Sequence, residues 1–183
     1  ITKGALFIHQ EYFRKMIIKA HNQANIKSEA VYSKCENYRY ALTRVWDENK
    51  KKVLFIMLNP STADETKNDP TVERCERRAK KLNFGSFRIC NIFAWRETNP
   101  LQLMKTDEPV GKDNDFHISK SVLWSDVIIC AWGTHGTYFN REAEVKNLLS
   151  NNGAKLYHLG LTKNGHPKHP LYITYTQNIV AWK

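Results

Sequence analysis

Polar side chains gather directly after a run that has none. Val53-Leu54-Phe55-Ile56-Met57-Leu58 is wholly apolar and is followed by Asn59-Pro60-Ser61-Thr62-Ala63-Asp64. An apolar run cut off by Asn-Pro reads as a core strand ending in a turn. The carboxyl ends of sheet strands are where open α/β folds place ligands. In that position Asn59 and Asp64 are candidates to place a catalytic water. Ser61 and Thr62 are candidates to meet a phosphate. Ser, Thr and Asn also cap helices, so spacing alone supports a capping turn equally. Asn68-Asp69-Pro70-Thr71 reads first as the cap of the next helix, with Asp69 also able to orient a neighbour.

Two further clusters echo the first. Asn91 closes the strand-like Arg88-Ile89-Cys90 and precedes Ile92-Phe93-Ala94-Trp95-Arg96. A primary amide offers a donor and an acceptor side by side, matching the alternation on a nucleobase edge. An Asn that satisfies loose backbone groups in a turn is the plainer alternative. Phe93 and Trp95 are candidates to stack a base, and Arg96 to meet phosphate. The third cluster is Lys163-Asn164-Gly165-His166-Pro167-Lys168-His169-Pro170-Leu171-Tyr172. A histidine in such a loop can stabilise an anionic leaving group, and Lys163 and Lys168 can hold phosphate as point charges. His166 and His169 lack an obvious carboxylate or Cys partner, so no metal is expected. Between these clusters, Ala131-Trp132-Gly133-Thr134-His135-Gly136 leaves a strand through glycines that permit close backbone approach.

The elements that must position these residues are legible in the pattern. Tyr38 to Trp46 alternates like a strand, Asp47 to Lys50 turns, and Val53 to Leu58 returns. Thr71 to Leu82, Asp113 to Trp124 and Arg141 to Ser150 read as helices. Phe87 to Phe93, Asp126 to Trp132 and Leu156 to Leu159 read as strands. Residues 9–27 carry Tyr12, Phe13, Met16, Ile17 and Ala20 at helical spacing, and Asn25 to Ser33 reads as a polar linker. Strands alternating with helices predict a three-layer α/β/α sandwich with a central, mainly parallel sheet. The division expected is an N-terminal helical extension over 1–37 and an α/β domain over 38–183.

Bulk properties narrow the class. A chain of 183 residues with 42% hydrophobic and 25% charged residues fits one soluble domain with a real core. The net charge of +10 points to a polyanionic partner, most simply nucleic acid. Cys35, Cys75, Cys90 and Cys130 form no CxxC pair, and Cys90 and Cys130 sit in apolar runs as buried thiols. No signal peptide and no apolar run of membrane length are read, so the expected location is a reducing cytoplasm.

The run from Tyr38 to Tyr172 resembles the bacterial and phage family catalogued as domain of unknown function 1643. The carriers are Met57 to Asp64, Asn68-Asp69-Pro70-Thr71, Asn91-Ile92-Phe93-Ala94, Gly111 with Asn114-Asp115, Ala131-Trp132-Gly133, and His169-Pro170-Leu171-Tyr172. The order of these motifs is also similar to that of the uracil-DNA glycosylase superfamily. Leu58-Asn59-Pro60-Ser61 resembles its first loop, Asn91 its base-reading Asn, and His169 its catalytic histidine. Leu58 stands where that superfamily has glycine, Ser61 where one variant has Tyr, and the final loop lacks a Ser and a second Pro.

That resemblance implies cleavage of the N-glycosidic bond of a flipped base. Asn59, helped by Asp64, would place the water; Asn91 would read the base; His169 would stabilise the departing base. No cofactor is implied, and DNA is expected before RNA. Two other classes stand beside it: a nucleic-acid or nucleotide-binding module without hydrolysis, and an enzyme acting on free modified nucleotides.

Overall fold

The computed structural model describes residues 16–182. Its centre is β4 (Lys52–Met57), the strand in which every residue after Lys52 is apolar. Leu54 and Ile56 point into one core, and Val53, Phe55 and Met57 into the other. A strand apolar on both faces must be covered on both. The first core is closed by α3 (Asn114–Trp124) through Ile118 and Val122, and by α4 (Arg141–Asn151) through Val145 and Leu149. The second is closed by α1 (Pro70–Lys81) through Val72, Cys75 and Ala79. A fourth helix, α2 (Pro100–Leu103), is a single turn.

The sheet has eight strands. β1 (Met16–Gln23), β2 (Ile26–Ser33) and β3 (Arg39–Val45) lie on one side, and β5 (Ser86–Asn91) beside β3. Then come β4, β6 (Val127–Cys130), β7 (Leu156–His158) and β8 (Val180–Ala181), in the order β1-β2-β3-β5-β4-β6-β7-β8. Pairings β5–β4, β4–β6 and β6–β7 are parallel. The other four, β1–β2, β2–β3, β3–β5 and β7–β8, are antiparallel.

The mainly parallel sheet expected from the alternation of strands and helices is therefore a mixed one. Two of the four antiparallel pairings come from β1 and β2, which the helical reading of residues 9–27 and the linker reading of Asn25 to Ser33 hid; β3–β5 and β7–β8 supply the other two. Met16–Gln23 and Ile26–Ser33 form a hairpin, with Ala24 at φ 50° in its turn. The i, i+4 spacing of Met16 and Ala20 fits a helix, but Ile17, Ile18, Ile26 and Val31 are β-branched. Pairing of β1 along the whole of β2, and of β2 with β3, outweighs the local preference. The part of the helical reading that falls on residues 1–15 lies outside the described residues.

The remaining elements follow the sequence pattern closely. Helix α1 begins where Asp69 accepts the amides of Thr71 and Val72 at 3.0 and 2.9 Å, with Pro70 at its first position. Its interior-facing Arg78 reaches the chain's last segment and donates to the carbonyls of Ile173, Thr174 and Gln177 at 2.9–3.2 Å. Cys75, Cys90 and Cys130 are buried free thiols, and Cys35 is exposed. Burial pushes the three buried thiols up, which keeps them protonated and inert.

Arg78→Ala is expected to lower unfolding stability by about 2–3 kcal/mol, because three carbonyls of the half-buried last segment lose a charged donor. Hydrogen exchange should show residues 173–178 losing protection while β4 keeps it.

Candidate functional site

The site follows from where the parallel strands stop. β4 ends at Met57 and β5 at Asn91, which are partners in the parallel register. The backbone pairing runs on past them, with Ile92 and Phe93 amides bonded to the Met57 and Leu58 carbonyls at 2.8 and 2.9 Å. Past Phe93 the second loop leaves the first and meets it again where the Glu97 amide donates to the Pro60 carbonyl at 2.9 Å; a polar cleft of about 510 Å³ opens there. Its wall includes Ser61, Thr62 and Asp64 from the first loop and Trp95, Arg96, Glu97 and Thr98 from the second. Glu36 and Asn37, from the turn before β3, and Lys67 complete it.

Five of the residues picked from sequence meet in this cleft: Ser61, Thr62, Asp64, Trp95 and Arg96. Ser61 and Thr98 share a hydroxyl hydrogen bond of 3.1 Å across it. Asp64 Oδ1 accepts from the Thr66 hydroxyl and the Thr66 and Lys67 amides at 2.7–2.9 Å. Burial pushes the Asp64 carboxyl up, but those donors outweigh it and the net shift is downward. Asp64 is thus an ionised carboxylate with one oxygen spent on its own turn. Arg96 donates to the Glu36 carbonyl at 3.2 Å and lies over the Tyr32 ring. Trp95 meets the Tyr38 ring edge-on.

The other candidates do not line the cleft. Asn59 is half-buried, and its amide nitrogen donates to the carbonyls of Pro60 and Glu97 at 3.1 and 2.5 Å. This ties the two loops together and leaves the amide oxygen with a fixed direction. Phe93 is fully buried in the first core, edge-on to Phe139. Asn91 is 1% exposed, and neither its amide oxygen nor its nitrogen has a hydrogen-bond partner among the described residues. Buried amides are rarely left so. Asn114 takes the backbone role expected of a turn Asn, donating to the Asn91 and Ile92 carbonyls at 2.9 and 3.1 Å.

The final loop is a small hairpin with exposed Lys163 at its tip and exposed Lys168 on its return. Leu161 bridges to Pro167, and Gly165 turns the tip at φ 83°. His166 Nδ1 lies 2.8 Å from Glu142 Oε2 on α4. Gly133, at the end of β6, has φ 75° and ψ −167°, a conformation open essentially to glycine alone. Its amide donates to the Pro167 carbonyl at 2.8 Å, and a side chain there would stand 3.8 Å from the His169 Cβ. That contact brings the loop back over the strand ends.

His169 caps the short 3₁₀ turn Pro170–Tyr172, its Nδ1 accepting from the Leu171 amide at 3.4 Å. A neutral ring that accepts at Nδ1 carries its proton on Nε2. Burial lowers its pKa to about 4, opposed in part by Asp69. His169 is therefore a neutral donor.

Two features of the site escaped the sequence reading. Glu36, Asn37, Lys67, Glu97 and Thr98 are ordinary loop residues that only the chain's path brings to one wall. Arg39, buried directly behind that wall, stands between two tyrosines in a strand that also carries Thr43 and Arg44, so its type alone did not mark it. No group of three or more His, Cys, Asp or Glu among the described residues is arranged to hold a metal ion. No described helix is long and apolar enough to cross a membrane.

The chain belongs to the family DUF1643, whose model is described as a protein of unknown function and matches residues 39–171. No curated protein and no solved structure matches the chain.

His169, and His117, whose pKa burial also lowers to about 4, are expected to stay neutral from pH 8 down to 5 in an NMR titration. Below about pH 6.5 the unfolded chain takes up protons that these rings refuse in the fold. Stability should therefore fall as pH drops from about 6.5 towards 4, by at most about 1.4 kcal/mol per unit for each ring. His169→Asn should flatten its share of that slope in denaturant unfolding.

Proposed function

We propose that this chain recognises a nucleotide unit of nucleic acid at the carboxyl ends of β4, β5 and β6, and that it hydrolyses the N-glycosidic bond of that unit. The observation that carries the reading is Asn91. A fully buried amide with both hydrogen-bonding atoms unpartnered, at the end of a central strand, suits a ligand with a complementary donor–acceptor edge. Nucleobases have that edge. Trp95 offers a ring beside the cleft for stacking, and Arg96, Lys67, Ser61 and Thr62 offer donors for a phosphate. The net charge of +10 attracts the polyanion. The order of the loops is similar to that in the uracil-DNA glycosylase superfamily, which favours the same chemistry.

In the hydrolytic step the base leaves with the bonding electron pair, and water adds to the sugar carbon. His169 donates from Nε2 to the charge growing on the base, and a neutral donor in a desolvated loop needs no reorganisation to do so. Asn59, its amide nitrogen anchored, accepts a hydrogen bond from the water at Oδ1 and turns the water's lone pair towards the sugar; the proton that the water loses on bonding passes to the departing base anion. Ionised Asp64 offsets the positive charge that develops on the sugar. Lys163 and Lys168 grip backbone phosphates, and Phe93 supports the loop from within the core. DNA is the preferred polymer, and no cofactor takes part in these steps.

Binding without hydrolysis is the second reading. It is favoured by one observation: Asn59 Nδ2 and Asp64 Oδ1 are already engaged by their own loops.

The test uses labelled single- and double-stranded oligonucleotides carrying uracil, a mismatch or modified bases, with alkaline cleavage to reveal abasic sites. Cleavage is expected from the wild type. It should fall by about 10²-fold or more in His169→Ala and be abolished, with loss of base preference, in Asn91→Leu. Salt-dependent binding with no cleavage on any substrate would leave the binding module. No binding at all would remove both.

A further inference from the structure

Behind the cleft lies a cation that lacks a counter-charge. Arg39 is 1% exposed. Its Nη1 donates to the Ala63 carbonyl at 2.5 Å, and its Nε has no hydrogen-bond partner among the described residues. No carboxylate oxygen of those residues lies within ion-pair distance of it, unlike Arg141, which pairs with both Asp115 and Glu144. Arg78, also buried and without a carboxylate, donates to three carbonyls from Nη1 and Nη2, although its Nε too has no partner among the described residues. Arg39 has one. Buried charges in proteins are as a rule paired, because an uncompensated one costs several kcal/mol.

The groups around Arg39 do not make up the deficit. Burial is the main influence on the guanidinium and lowers its pKa to about 10; Arg96 and Arg44 lower it further, while Asp69 and the Tyr32 phenol oppose. Asp69 is the only carboxylate among these, and it is committed to the amides of Thr71 and Val72 and, at 3.3 Å, of Ala63. Arg44 is occupied with the carbonyls of Asp64 and Lys67 and with Asn68 Oδ1. Arg96 Nε, like Arg39 Nε, is buried without a partner.

Register places this cation against the site. Arg39 is the β-partner of Tyr32, and Asn91 of Met57. Tyr32 and Met57 belong to the same core, so Arg39 and Asn91 face the same side of the sheet. The carbonyl that Arg39 holds belongs to Ala63, between Thr62 and Asp64, both on the cleft wall. One residue of loop separates the buried cation from the cleft.

We infer that the Thr62–Asp64 stretch of the cleft is an oxyanion site, and that Arg39 behind it, with Arg96 at its edge, supplies the charge that selects a phosphate group. This rests on the cleft being the ligand site proposed above, and it names the group bound there. Ser61, Thr62 and Thr98 hydroxyls and Lys67 provide donors at the surface. Of the acidic groups on the wall, Glu36 pairs with Lys19; Glu97 Oε1 accepts from the Thr98 and Asn99 amides, and Asp64, still ionised, has Oδ1 turned to its own loop, so a phosphate is held on the hydroxyl, Lys67 and Arg96 side of the wall.

The experiment is thermal unfolding of the full chain in sodium phosphate against sodium chloride at equal ionic strength. It is repeated with thymidine, thymidine 5′-monophosphate and an abasic oligonucleotide. Wild type is expected to show a rise in Tm with inorganic phosphate beyond that in chloride. Arg39→Met should reduce that difference to the general effect of an excluded salt, and weaken binding of the preferred phosphate ligand by about tenfold or more. A larger response to the monophosphate than to the oligonucleotide would identify a free nucleotide as the source, and the reverse would identify the nucleic-acid backbone; either supports the site.

An unchanged phosphate response in Arg39→Met overturns the inference. Should that variant fail to fold, Arg39→Lys and Arg96→Gln decide. The site requires a partly kept response in the first and a weakened one in the second, and wild-type responses in both overturn it. Base-specific DNA binding with an unchanged phosphate response would sink this site but leave the proposed function. A phosphate response lost in Arg39→Met, without recognition of any base, would do the opposite.

Discussion

The loop after β4 has little apolar surface, and of it only Leu58 and Ala63 enter the cores. It is held instead by cations reaching from the neighbouring strand. Arg39 and Arg44 of β3 donate to the carbonyls of Ala63, Asp64 and Lys67. Asp69 closes the loop by accepting the Ala63 amide and starting α1. A loop at a sheet end exposes backbone groups that must find partners. Here side chains of β3 and the cap of α1 provide them. Every other feature of the site depends on that fastening, because the same loop forms one wall of the cleft and carries Asn59, Ser61, Thr62 and Asp64.

The arrangement divides labour between two halves of the sheet. The parallel strands β5, β4, β6 and β7 bury both faces and end together, which leaves their polar loops at one edge. The antiparallel strands β1, β2 and β3 bring no loop of the parallel set, but β3 brings the arginines. Charge in the core is costly, so two arginines converging on one loop represent stability given up locally. Such concessions are common where a ligand later supplies the missing partner. His169 follows the same logic with the opposite sign, since burial keeps it uncharged. Its position depends on Gly133, where a side chain would oppose the required backbone.

Much of this was legible in the residues. The strands and helices from Tyr38 to Leu159 follow apolar periodicity and capping signals closely, and the five cleft residues read from sequence do line one wall. Asp69 was readable as a cap because Asp-Pro-Thr is the local chemistry of a helix start. Arg39 was not singled out, because in an alternating strand every second side chain is free to be polar. Nothing local says that both faces of this strand are covered.

The chain alone therefore determined the central elements, the strand-end position of its polar loops and its net charge of +10. Each depends on spacing of a few residues or on total charge. Tertiary structure decided the rest: that Met16–Ser33 is a hairpin, that β3 pairs with β5 and not with β4, and that Arg39 lies behind Ala63. These are questions of which distant segment supplies a backbone partner. A β-strand's free N–H and C=O groups accept any neighbour of suitable register, so only the packed sheet selects among them.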